Sequence, residues 1–138
     1  MVALAAVGTA ASLGLTGCAL VDEFTSHQKE RVFATVADAL ADGSGDGDGD
    51  ATFMPPPFVP GDATDLKIRV ITNGPGDIIR FTSASPLPDD TCDAGALVGS
   101  PLLESTWWPA EVPTEGIVCD SDWQVFQVNG NTYAWVSV

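Results

Sequence analysis

The chain has 138 residues, with 19 acidic side chains against 5 basic ones and a formal net charge of −14. The length suits one domain. The charge argues against nucleic acid as a partner and against electrostatic docking on anionic lipid headgroups, because both would repel it.

Residues 1–17 contain no charged residue and no proline. The apolar stretch 2–15 has the length of a signal-peptide hydrophobic region, short of the ~20 apolar residues a membrane-spanning helix needs. Small residues close it, and Leu15-Thr16-Gly17-Cys18 follows. This order resembles the lipobox of bacterial lipoproteins. The resemblance implies cleavage before Cys18, a diacylglyceryl group on its thiol with palmitate-type chains, and a mature chain anchored on the outer face of the cell membrane. Each buried methylene would add about 0.8 kcal/mol to that anchorage. Signal peptides open on Lys or Arg, whereas the first positive charge here is Lys29. The true start is therefore expected upstream of Met1. The competing reading is a buried N-terminal helix with Cys18 in a core, but the run lacks the polar face of such a helix.

Phe24, Val32, Phe33, Val36, Ala37 and Leu40 fall close to helical spacing. Asp22 and Glu23 suit a helix N-terminus, and Thr25 with Gln28 offers a capping pair. This predicts a helix over about 23–41. A strand through 31–36 competes, since that run is rich in β-branched residues. Residues 43–50, Gly-Ser followed by alternating Gly and Asp, predict a flexible, self-repelling tether. An EF-hand loop needs Gly at its sixth position and Glu at its twelfth. Counted from Asp46 those positions hold Ala51 and Pro57, so no metal site is predicted.

Phe53-Met54-Pro55-Pro56-Pro57-Phe58-Val59-Pro60 favours extended polyproline II, and its apolar residues should lay it on the folded domain. Alternation predicts a hairpin over 65–83, turning at Asn73-Gly74-Pro75-Gly76. Lys67, Arg69 and Arg80 sit on it, and cross-strand pairing with carboxylates is the expected use of their charge. Residues 86–108 read as loop, crowded by Asp89, Asp90 and Asp93. Short strands are predicted at 117–119, 123–128 and 132–138, with Asn129-Gly130 as a hairpin turn. Tyr133 and Trp135 share one face of the last strand, and Ala134 and Val136 share the other. Apolar residues on both faces imply a strand covered on both sides.

With Cys18 assigned to lipid, Cys92 and Cys119 remain, an even number that in an exported protein predicts one disulfide. Two free thiols or a metal pair would lack partners, since His27 is the only histidine. The expected fold is α+β: one N-terminal helix, then a small antiparallel β-rich domain with one disulfide. The expected divisions are a signal peptide over 1–17, the helix and tether over 18–52, and the domain over 53–138.

Three pieces resemble small cell-surface lipoproteins of high-GC Gram-positive (actinobacterial) bacteria: 59–66, 79–83, and Cys119 with Trp123. The resemblance implies a compartment and no mechanism. Gly-x-Ser-x-Gly, a phosphate-binding glycine loop and a zinc-spaced Cys/His set are all missing from the sequence. The leading expectation is a non-enzymatic, lipid-anchored, monomeric envelope protein without catalytic residues, cofactor or metal. Its partners would be the membrane, through the lipid, and an unidentified envelope glycan or protein. The alternative is a glycan- or peptide-binding module whose exposed aromatics Trp107, Trp108, Tyr133 and Trp135 contact the ligand. A third expectation is a carboxylate-based hydrolase.

Overall fold

The computed structural model describes residues 27–44, 53–74 and 76–137. The expectations for the leader, for Cys18 and for the Gly/Asp run over 45–50 lie outside the described residues.

Among the described residues the fold is an antiparallel sheet of seven strands with one short α-helix. β1 is Gln28–Thr35, α1 Val36–Ser44, β2 Thr64–Ile71 and β3 Asp77–Thr82. β4 is Cys92–Ala96, β5 Glu115–Cys119, β6 Trp123–Val128 and β7 Asn131–Val136. The sheet order is β1-β2-β3-β7-β6-β5-β4. After β3 the chain crosses to the far edge, begins again at β4, and steps back strand by strand until β7 lands beside β3.

The α+β expectation with an N-terminal helix is corrected here. Residues 28–35 are a strand paired with β2 from Gln28↔Ile71 to Thr35↔Thr64, and the helix follows it. The reason is tertiary. Phe33 is buried opposite Leu66, and Glu30 faces Arg69, so alternation against a ready partner overrides helical spacing. The capping pair also moves. Thr35 Oγ1 accepts from the Asp38 backbone N–H at 3.1 Å and donates to Asp38 Oδ2 at 2.8 Å. That satisfies an orphan donor and starts α1 at Val36. Val36 and Ala39 are buried, and the Arg31–Asp42 ion pair at 2.6 Å holds the helix back against β1. The division at residue 53 therefore falls between two paired strands, β1 and β2. The sheet needs residues from both sides of the Gly/Asp run.

Two apolar clusters cover the two faces of the sheet. On the helix side, Leu66, Ile68, Val70, Ile79, Phe81, Val125 and Ala134 meet Val36, Ala39, Phe53, Phe58 and Val59. The proline-rich stretch thus lies on the sheet, as its apolar residues predict. On the other side, Ile78, Phe126, Tyr133 and Trp135 are covered by Leu103, Trp107, Trp108 and Val112 from the β4–β5 connection. β7 contributes Ala134 to one cluster and Tyr133 and Trp135 to the other, which explains why both its faces are apolar.

The hairpins follow local chemistry. Asn129 and Gly130 both have positive φ, 52° and 80°, which suits a two-residue turn matched to strand twist. In β2 the register slips between Thr64 and Lys67, and Asp65 takes φ 53°, the signature of a bulge. At β5, a Cβ on Gly116 would run into the Val125 carbonyl oxygen and meet Leu97 at 3.1 Å. Glycine is what lets β5, β6 and the start of the loop approach.

Candidate functional site

Within the stretch 86–108 that reads as loop, Cys92–Ala96 forms β4, and this strand explains the disulfide. Cys92 and Cys119 are directly opposite on β4 and β5, and their sulfurs are bonded at 2.05 Å. The bond ties the edge strand to its neighbour. The long connection 97–114 therefore leaves and re-enters the sheet at a fixed place, helped by the Leu97 N–H bonded to the Thr114 carbonyl at 2.9 Å. Buried Gln124 accepts from the Val98 N–H at 2.9 Å and donates to the Asp122 carbonyl at 3.2 Å, so the loop base is pinned to β6 as well.

The four aromatics singled out as ligand contacts are brought together, but as packing. Trp108 sits edge-on to Phe126, Tyr133 and Trp135, with ring centroids 5.6, 5.6 and 6.2 Å away. Phe126 stacks on Tyr133 at 5.3 Å. Trp135 is 1% exposed and Tyr133 8%, whereas Trp107 and Trp108 are half-buried. Tyr133 and Trp135 are thus core residues, and only Trp107 and Trp108 keep part of their surface open. The loop folds its own tryptophans onto the face that β7 offers, because burying aromatic area is worth more than leaving it in water.

Sequence reasoning missed Glu30. Its Oε2 accepts from Arg69 Nη1 at 3.3 Å, Ser105 Oγ at 3.0 Å and Trp107 Nε1 at 3.0 Å. Gln28 Oε1 meanwhile takes Arg69 Nε at 3.1 Å and Nη2 at 2.8 Å. One carboxylate therefore joins β1, β2 and the covering loop. A groove of about 430 Å³ borders this junction, lined by Glu30, Arg69, Glu104, Ser105 and Thr106. No local pattern announces this role, since reading 23–41 as helix places Glu30 away from β2.

No protein-family model, curated protein or solved structure matches this chain.

The remaining candidates fall as follows. His27 is exposed, and its backbone carbonyl accepts from the Thr72 N–H at 2.7 Å and hydroxyl at 3.0 Å. Among the described residues, no set of three or more His, Cys, Asp and Glu converges on a metal position. No described helix is long and apolar enough to cross a membrane. Among the described residues, two aspartates have shifted pKa values. Hydrogen bonds from Ser83, opposed by slight desolvation and helped by Ser85, lower the Asp62 pKa. Burial at the start of β3 raises that of Asp77.

Proposed function

We propose that this chain is a lipid-anchored, non-enzymatic module of the outer face of the cell membrane, carrying a disulfide-tied β-sheet. One observation supports this most. Cys92 and Cys119 are bonded to each other, so of three cysteines only Cys18 is left over, and it stands in Leu15-Thr16-Gly17-Cys18. A cross-strand disulfide suits an oxidising compartment. The lone cysteine after an apolar, uncharged run suits acylation. The structural carboxylate Glu30 is engaged by three donors, which favours a scaffolding role over acid–base chemistry. Trp135 and Tyr133 are core residues, which disfavours a glycan platform built from them.

The test is the intact mass of the chain recovered from membranes and from cytosol. The expected species has lost residues 1–17 and carries a diacylglyceryl adduct on Cys18, with Cys92 and Cys119 oxidised. A full-length, unacylated cytosolic chain with both later thiols reduced would overturn the proposal.

A further inference from the structure

The five basic residues all lie on β1, β2 and β3, and they are not treated alike. Arg31 pairs with Asp42, and Arg69 with Glu30. Lys67 and Arg80, by contrast, stand directly opposite each other on β2 and β3. Neither has an ion pair with a carboxylate among the described residues. Like charges in that position repel and destabilise a sheet. In a chain with 19 acids and 5 bases, two adjacent cations without an acid call for a reason.

Arg80 is a held fork, and Lys67 is a half-buried cation beside it. Arg80 is opposite Tyr133 on β7, on the face that the loop covers, and its Cζ lies 6.0 Å from the Tyr133 ring centroid. Arg80 Nη2 donates to Asn131 Oδ1 at 3.3 Å, and the same oxygen takes the Thr82 hydroxyl at 3.1 Å. Arg80 Nε is buried with no acceptor. Both cations are half-buried, and Val32, opposite Lys67 on β1, is 63% exposed. The covering loop engages Glu30 and the aromatics and leaves Val32 bare beside the pair.

We propose that Lys67 and Arg80 form a binding site for one oxyanion group, carboxylate or phosphate, at the end of a small ligand. Arg80 supplies planar N–H donors fixed by Asn131 and Tyr133, Lys67 supplies an ammonium that can turn toward the same oxygen atoms, and Val32 gives the ligand body an apolar contact. The net charge of −14 does not forbid this. Screening shortens its reach to about 8 Å at physiological salt, so a single group responds to the local pair, whereas a polyanion would meet the whole acidic surface. The site stands whether or not Cys18 is acylated.

The test is a titration of the whole chain in neutral detergent at constant ionic strength, with inorganic phosphate in one arm and acetate in another. The NMR signals of Arg80 Nε and Lys67 Nζ are followed, and chloride is the control. Saturable shifts at both residues are expected with phosphate, acetate or both, and the responding anion names the group. Lys67→Gln and Arg80→Gln should each weaken binding by about tenfold, as loss of one charged hydrogen bond predicts. Lys67→Arg should keep binding within about threefold, since the positive charge stays. Shifts that do not saturate, that chloride reproduces, or that survive unchanged in Lys67→Gln would overturn the site. The Lys67 side chain makes no ion pair or hydrogen bond among the described residues, so that variant tests the site even if Arg80→Gln fails to fold.

Discussion

The indole N–H of Trp107 donates to Glu30 Oε2 at 3.0 Å across 77 positions of sequence. This bond connects an edge strand to a loop that enters and leaves at the opposite edge of the sheet. The covering layer is thereby fastened at both ends, at its disulfide-tied base and at β1.

Replacing Glu30 should therefore loosen two elements at once. Glu30→Ala leaves the Trp107 indole, the Ser105 hydroxyl and one arm of Arg69 without their acceptor, and a loss of about 1–3 kcal/mol in urea unfolding is expected. Glu30→Gln keeps an acceptor oxygen and should lose less. Faster amide exchange over 103–108 in both variants, with β5 and β6 unchanged, would separate loop release from general unfolding.

Reduction of the Cys92–Cys119 bond should lower stability by roughly 3 to 4 kcal/mol on the chain-entropy account of a closed loop this long. The double variant Cys92→Ser with Cys119→Ser should match the reduced protein in thermal unfolding. If the oxidised and reduced proteins melt together, the bond adds nothing that the β4–β5 ladder lacks.

Gly116→Ala is the smallest change expected to damage the sheet. Its methyl group would overlap the backbone carbonyl of Val125, which cannot step aside as a side-chain tip can. Overpacking of this kind destabilises by about 1–3 kcal/mol. Gly61→Ala, where nothing lies within 4 Å, is the control and should leave unfolding unchanged.

Asp77 and Asp62 should make opposite marks on the pH dependence of stability. The folded pKa of Asp77 is raised by burial, so the fold binds its proton more tightly than the unfolded chain does. Stability from this group falls as pH rises from the ordinary 3.8 through the higher folded value. Asp77→Asn should then gain on the wild type over that window and hold the gain at neutral pH. Asp62, lowered chiefly by Ser83, acts the other way: its contribution is present above 3.8 and is lost as pH falls below it. Stability curves of Asp77→Asn and Asp62→Asn against pH would check both signs.

The strand hairpins were legible because their determinants are local. Residues 66–70 alternate, Asn129-Gly130 demands positive φ, and two cysteines remained for one bond. The both-sided burial of β7 was legible too, since its apolar residues occupy both parities. β1 was only half legible, because Val32, Phe33 and Val36 suit helical spacing while the β-branched content of 31–36 also favours a strand. Only the partner Leu66 decides between them, and it lies 33 positions away. β4 was hidden for another reason. Cys92-Asp93-Ala94-Gly95-Ala96 has weak strand propensity, and its pairing rests on the disulfide and on β5. The aromatic cluster was half legible: the tryptophans were found, but whether a loop folds inward or outward depends on the surface beneath it.

The sheet order puts β7 between β3 and β6, although these three strands are reached in the sequence 3, 6, 7. Without residues 131–136 the sheet order would leave two separate ribbons, β1–β2–β3 and β4–β5–β6, each with a bare inner margin. β7 is the one strand that joins them, pairing with β3 on one side and β6 on the other. A chain truncated at residue 130 should thus give two sticky halves prone to self-association.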